Sequence, residues 1–304
     1  MTEKPLVSVI INCYNSEKYL RETIDSLIAQ TYDNWEAIFW DNCSTDKTAE
    51  IIASYNEPRF RYFLAEKNTP LGEARNRAME RINGVYFCFL DSDDLWETTF
   101  LNDCIDILNN TGAGLVYSRF LYFNEERHWL AASYQESGFV PTNKFIESYN
   151  LGMSAGVIKK NIVSDNKLFF DGRFSLIEDY DFFIRVAFQT NVYYLQTPLM
   201  WYRCHSNNLS LSDNWVNEMS VLADSIDKKS SLYPYRKCIS RQTEIYEYNS
   251  LVQNKRRSEA SAFLLKNIWH NYKLTKYLII HLFGENFYNH LYGLLKRSKR
   301  ELYN

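Results

Sequence analysis

The sequence predicts an α/β fold: a mixed sheet flanked by helices over residues 1–212, followed by a helical extension over 213–304. Three observations carry this. Apolar, β-rich runs alternate three times with helix-spaced segments within about the first ninety residues, the pattern of a sheet built with right-handed crossovers. The strand-like runs end in polar, acid-rich loops, where sheets of this kind hold their ligands. From about Trp215 the pattern turns helical to the end, with breaks at Pro234 and Gly284.

Taken in order, Leu6-Val7-Ser8-Val9-Ile10-Ile11 reads as a buried strand, and Asn12-Cys13-Tyr14-Asn15 leads into a helix from about Ser16 to Gln30. Trp35 to Trp40 is the next strand. The Ser, Thr and Asp of Asp41-Asn42-Cys43-Ser44-Thr45-Asp46 can cap a helix reaching about Tyr55. Arg59 to Leu64 makes a third strand and Leu71 to Arg81 a third helix. Val85 to Leu90 is apolar on both faces, as in a central strand covered on two sides, and runs straight into Asp91-Ser92-Asp93-Asp94. A helix past Thr98 to about Asn109, a strand over Leu115 to Phe123 and a hairpin through Tyr134 follow.

Three carboxylates at one strand end repel one another unless water, a cation or donor groups absorb the charge. Asp91-x-Asp93 puts two within reach of one divalent ion, and hard oxygen ligands suit Mg²⁺ or Mn²⁺ held together with substrate phosphates. A lone Asp-x-Asp is as readily a turn that caps the next helix. The chain has neither Gly-x-Gly-x-x-Gly after its first strand nor a Gly-x-x-x-x-Gly-Lys loop, so phosphates would fall to a metal on Asp93 with help from Arg75 or Arg203. Gly152-Met153-Ser154-Ala155-Gly156 matches the nucleophile elbow of α/β-hydrolases. However, a polar segment precedes it and the strand-like Val157-Ile158 follows, the reverse of an elbow's setting.

Val7-Ser8-Val9-Ile10-Ile11 with Tyr14-Asn15, Asp41 to Asp46, Ala74-Arg75-Asn76, Leu90 to Asp94 and Glu178-Asp179-Tyr180-Asp181 resemble, in that order, the signature segments of family 2 glycosyltransferases. These are inverting, nucleotide-sugar-dependent enzymes of the GT-A (Rossmann-like) fold, and the resemblance covers roughly residues 5–212. It departs at Asn42, where the family usually has a second Asp, and at Asn12, where many members carry Thr or Pro. The resemblance implies that Asn12, Tyr14 and Asp41, with Asn42 beside them, hold the nucleobase, the Tyr14 ring stacking and Asp41 accepting a uracil N–H. It places Arg75 at the base or diphosphate, Asp91 and Ser92 on the nucleotide, Asp93 with Asp91 on the metal, and Asp94 behind them. Leu199 to Ser206 resembles the closing strand, bringing Arg203 and His205 to the diphosphate or metal.

A helix starting near Glu178 puts Asp179 on a face with Phe182, Phe183 and Val186, where a carboxylate is costly without a purpose. Asp181 instead lies four residues before Arg185, the spacing of an ordinary ion pair. Asp179 is therefore the expected general base, and Glu178 would orient the acceptor or the helix start. The implied reaction moves a sugar from a nucleotide-diphosphate donor, expected to be a UDP-sugar, to a hydroxyl of a glycan or lipid-linked acceptor, in cell-surface polysaccharide or glycoconjugate synthesis. Alternatives are a sugar-nucleotide nucleotidyltransferase, which should carry a Gly-rich phosphate loop, and the Ser154 hydrolase.

Composition fits a globular chain: 46% hydrophobic, 23% charged, and 16% aromatic, which leaves ample area for burial and for stacking flat ligands. The six cysteines form no Cys-x-x-Cys pair and read as buried thiols of a reducing compartment. Nothing in residues 1–15 marks a secretory signal, so a cytoplasmic protein is expected, at the inner membrane face if its tail docks there. Residues 251–304 hold ten Lys and Arg against three Glu, a charge of +7 on a protein of net −3. Interleaved with Tyr272, Tyr277, Ile279, Ile280, Phe283 and Phe287, and closed by Lys296-Arg297-Ser298-Lys299-Arg300, this tail suits either a membrane interface or packing on the catalytic domain or a second subunit. Nucleic acid is not expected, because the basic excess is confined to a tail on an acidic domain.

Overall fold

In the computed structural model, which describes residues 4–131, 136–206, 208, 215–228, 232–253, 256–268, 271, 274–275 and 277–278, the chain forms two compact units, Met1–Ser212 and Asp213–Asn304. The first is organised by parallel strands, most of them buried on both faces. β1 (Val7–Cys13), β2 (Trp35–Asp41), β3 (Phe60–Leu64) and β4 (Tyr86–Phe89) run parallel in the order β3-β2-β1-β4. Their connections carry α1 (Leu20–Ile28), α2 (Thr48–Ala53) and α3 (Leu71–Met79). Leu20, Ile24 and Leu27 of α1 join Val7, Val9 and Ile11 in one apolar core.

The second half of the sheet contains β5 (Leu95–Trp96), β6 (Ala113–Phe123), β7 (His128–Leu130), β8 (Gly138–Val140), β9 (Gly156–Lys159) and β10 (Asn191–Arg203). Helices α4 (Phe100–Asn110), α5 (Thr142–Glu147), α6 (Lys160–Asp165) and α7 (Glu178–Ala187) lie between them in sequence. The full order is β3-β2-β1-β4-β9-β6-β10-β5, with β7 on β6 and β8 on β10. β9 is antiparallel to both β4 and β6, whereas β6 and β10 are parallel. One antiparallel strand between two others leaves those two pointing the same way, so β4, β6 and β10 end at the same edge as β1 and β2. Gly152, just before β9, permits a tight fit: a Cβ there would stand 2.9 Å from Met200 Cε.

Two boundaries differ from expectation for physical reasons. α1 begins at Leu20, because the Ser16 N–H donates to Thr48 Oγ1 at 2.8 Å and its hydroxyl meets Ser92, which holds this segment in the loop layer. β10 starts at Asn191, ahead of the expected Leu199, because register shifts around Pro198 absorb the residue that cannot donate to the ladder. In the second unit, α8 (Trp215–Ser225) packs on α9 (Arg236–Gln253), and α9 and α10 (Arg257–Asn267) pack around Ile245, Tyr248, Ala260, Leu264 and Leu274. Tyr277 and Leu278 pack against this cluster, so at these positions the apolar tail serves its own unit's core. Gly284 and the basic run 296–300 lie outside the described residues.

Candidate active site

The loops after β1, β2 and β4 are tied to one another by side chains. The Asn15 N–H donates to Ser44 Oγ at 2.9 Å, and the Thr45 N–H to Asn15 Oδ1 at 2.8 Å. Asn15 holds a left-handed φ of 51°, which Asn tolerates better than most residues. Pinned in this way, the turn leaves Tyr14 57% exposed, available to a flat ligand. Asp41, the last residue of β2, is buried. Its Oδ1 accepts the Ser44 N–H and its Oδ2 the Tyr62 hydroxyl, each at 2.7 Å. Burial and the Asp41 carboxylate together push the Tyr62 phenol well up. Asn42 is turned to the neighbouring loop: its Nδ2 donates to the Thr69 carbonyl at 2.7 Å and its Oδ1 accepts the Thr69 N–H at 3.1 Å. An Asp could only accept, so the loop demands Asn here and spends its amide on the fold. Asn12, at the end of β1, has both amide atoms buried without a protein partner.

The acidic loop is braced from two sides. Asp93 Oδ2 lies 2.9 Å from His205 Nε2, and the His205 ring stacks on Tyr19. Arg203 acts as a strut: its N–H donates to Asp94 Oδ1 at 3.1 Å, its Nε to the Asp93 carbonyl at 2.8 Å and its Nη2 to Glu22 Oε2 at 2.9 Å. Its guanidinium lies between the rings of Tyr19 and Phe123, 4.4 and 4.5 Å from their centroids. Ser92 Oγ meets Ser16 Oγ at 2.8 Å. On the other side, Ser154 Oγ accepts the Asp91 N–H at 3.0 Å and donates to Asp94 Oδ2 at 2.7 Å. Ser154 is fully buried in a 3₁₀ turn ahead of β9, not raised on a strand-to-helix elbow, and its hydroxyl is engaged. That arrangement removes it as a hydrolase nucleophile.

Burial, and then the charge of Asp91, push the Asp93 carboxyl up against the pull of His205. Burial, Asp93 and Asp91 push the buried Asp94 well up. Among the described residues no three His, Cys, Asp or Glu side chains gather into a ready-made metal cage. Asp93 and His205 nonetheless present an oxygen and a nitrogen side by side, in acid-rich surroundings that a dication would relieve. The pair fits Mg²⁺ or Mn²⁺ completed by substrate phosphates. Asp91 has one carboxylate oxygen committed to Arg75.

Arg75, on α3, is 3% exposed. Its Nη1 donates to Glu178 Oε1 at 2.7 Å and its Nη2 to Asp91 Oδ1 at 3.1 Å. One guanidinium thus joins the loop after β4 to the first turn of α7. Burial opposes its charge, but Asp91, Glu178 and Asp179 outweigh that and raise its pKa. The next carboxylate, Asp179, accepts the Tyr180 N–H at 2.6 Å. Burial, and then the charge of Glu178, push it up to about 7 despite Arg75. Asp181, 3% exposed, is ion-paired with Arg185 one turn along. Arg75→Met should destabilise the protein by about 2–3 kcal/mol in urea unfolding, below the ~3–5 of a fully buried pair because Asp91 keeps access to water. Arg75→Lys should fall between, since an ammonium cannot fork two carboxylates.

The structure therefore brings Tyr14, Asp41, Asp91, Ser92, Asp93 and His205 to one sheet edge, and Asp179 to the same acidic neighbourhood through Arg75. It commits Asn42, Arg203 and Arg75 to intramolecular partners. Sequence reasoning missed Tyr19, Glu22 and Tyr62 as supports. Only the position of Tyr19, just past the first loop, could have marked it.

A family model described as glycosyl transferase family 2 matches residues 8–170, more than half of the chain. The chain belongs to glycosyl transferase family 2. This family 2 glycosyltransferase is 24% identical over 226 residues to the Escherichia coli UDP-Glc:alpha-D-GlcNAc-diphosphoundecaprenol beta-1,3-glucosyltransferase WfgD, covering 73% of this chain and 87% of that one. A stretch of 107 residues is 40% identical to a Bacillus subtilis glycosyltransferase named for teichuronic acid biosynthesis, TuaG, spanning 34% of this chain and 42% of that relative. Among solved structures, Staphylococcus aureus TarS 1–349 with UDP-GlcNAc has a TM-score of 0.68 at 20% identity, covering 91% of this chain and 81% of that one. A Pyrobaculum calidifontis mannosyltransferase with GDP-Man and Mn²⁺ has a TM-score of 0.62 at 15% identity, covering 99% and 88%. These likenesses establish the GT-A fold. No helix among the described residues is long and apolar enough to cross a membrane.

Proposed function

We propose that this glycosyltransferase is an inverting enzyme that moves a sugar from a nucleoside-diphosphate donor, a UDP-sugar by preference, to a hydroxyl of a glycan or lipid-linked acceptor. The observation that carries the reading is the Arg75 bridge from Asp91 of the acidic loop to Glu178, which sets beside that loop the neighbouring Asp179, a carboxyl pushed up to about 7 by burial. Tyr14 stacks on the base beside Asn12 and Asp41, and Asp91 and Ser92 face the nucleotide. Asp93 and His205 would hold the divalent ion, which when bound would offset the charge developing on the departing diphosphate. Asp179 takes the proton from the acceptor hydroxyl as that oxygen attacks the anomeric carbon from the face opposite the leaving group, which inverts the centre. Arg75 keeps Glu178 and Asp91 from adding their full repulsion to Asp179. The UDP preference is supported by the TarS complex and the E. coli relative's name, which also supports a lipid-diphosphate acceptor. The test is a screen of UDP- and GDP-sugars for donor hydrolysis with Mn²⁺; no turnover or binding of any nucleotide sugar would end the reading.

The tail is read as a reversible contact with an anionic membrane face, where a lipid-linked acceptor would be met. Each Lys or Arg near such a surface contributes about 1 kcal/mol. Because α10 supplies Ala260 and Leu264 to the core of its unit, truncation is a poor test. Changing Lys296, Arg297, Lys299 and Arg300 to Ser in the full chain should abolish sedimentation with phosphatidylglycerol vesicles and leave donor hydrolysis unchanged. Unaltered sedimentation would remove the tail from this role.

A further inference from the structure

The Gly152-x-Ser154-x-Gly156 segment does no hydrolytic chemistry, yet its serine sits at the back of the acidic loop. We propose that Ser154 is a positioning residue for the glycosyl transfer read above: its hydroxyl sets the backbone of Asp91 and the carboxylate of Asp94, and through them the direction in which Asp93 and Asp91 face the donor. The inference rests on that functional reading and concerns this chain's own wiring.

A serine hydroxyl has one proton to give and lone pairs to accept with, and Ser154 uses both. It accepts the Asp91 N–H at 3.0 Å and gives its proton to Asp94 Oδ2 at 2.7 Å. Its own carbonyl accepts the Trp96 indole N–H at 2.7 Å, so the turn is clamped to β5, just past the same loop. The Asp94 N–H closes the loop on the Asp91 carbonyl at 3.0 Å, and Asp94 Oδ1 receives the Arg203 N–H at 3.1 Å. The four-residue loop is thus hung between Ser154 behind it and Arg203 in front. Asp94 is 2% exposed, so bulk water does not reach it to replace a bond that it loses. Arg203 also fixes the Asp93 carbonyl, while the Asp93 side chain meets His205. Without the Ser154 hydroxyl, Asp94 is held from one side only and the Asp91 N–H is orphaned. The loop must then rearrange where the nucleotide and the dication meet it. Outer partners of metal-site carboxylates typically carry roughly a 10- to 100-fold effect on affinity or activity.

The experiment uses the full chain and titration calorimetry of UDP, GDP and Mn²⁺, alongside donor hydrolysis. Ser154→Ala should weaken Mn²⁺ binding in the presence of nucleotide by about tenfold or more, and raise the donor KM, with kcat within about threefold of wild type at saturating Mn²⁺. Ser154→Cys, a poorer donor of similar shape, should fall between. A core variant remote from the loop, Leu27→Ala, chosen for at least as large a fall in melting temperature, should leave Mn²⁺ and nucleotide binding as in wild type. If Ser154→Ala shifts neither constant beyond that control, Ser154 is a stability residue only and the proposal is overturned. If wild type binds neither nucleotide, the functional reading itself fails, an outcome distinct from the first.

Discussion

Asp179→Asn should retain the fold and nucleotide affinity while losing about two to four orders of magnitude in turnover, the usual contribution of a positioned general base. Asp181→Asn should do far less, since Asp181 is bound up with Arg185. The sign with pH follows from the direction of the shift. Asp179 works as a base only when ionised, and its carboxyl has been pushed up to about 7 by burial and Glu178. In wild type kcat/KM should therefore fall with acidification below about 7 and level off above it, and Asp179→Asn should lose that limb. Steady-state kinetics on the two variants, with circular dichroism as the fold control, decides the matter. Equal impairment of both, or a greater loss from Asp181→Asn, would displace Asp179 from the role.

Chelation should abolish transfer altogether, Mn²⁺ or Mg²⁺ should restore it, and Asp93→Ala should respond to neither ion. Asp93 is the loop carboxylate beside an imidazole, at 2.9 Å, and its carboxyl is raised by burial and by Asp91. His205→Ala should be milder than Asp93→Ala, because a hard dication relies more on oxygen than on nitrogen. Full activity in excess chelator would sink the metal assignment and leave Asp93 and His205 as a structural pair.

β1, β2 and β4 were legible because their residues are largely apolar on both faces, a pattern that buried parallel strands impose. β9 was visible as Val157-Ile158, but its antiparallel place between β4 and β6 was not, since register is decided by neighbours distant in sequence. The start of β10 was hidden by Pro198, which a local rule treats as a strand breaker and a bulge absorbs. At the site, residue types and the order of segments were readable, whereas bonding partners were not. Arg75 looked free to meet a phosphate until α7 brought Glu178 against it. Asn42 looked like a weakened base contact, and its amide belongs to Thr69. Ser154 advertised a nucleophile, and only its burial between Asp91 and Asp94 shows what the hydroxyl does.

The ion pair between Arg75 and Glu178 spans 103 positions of sequence, a separation with a consequence for a chain still being synthesised. A chain grown through Asp94 has Tyr14, Asp41 and the whole acidic loop, but no α7. Its Arg75 then faces Asp91 alone. Long-range pairings of this kind close late, after local segments have formed. On the reading proposed above, a nascent chain acquires the residues assigned to the nucleotide well before the one assigned as general base, so transfer would begin only once the second half of the sheet has docked. On that reading, synthesis itself would separate donor recognition from turnover in time.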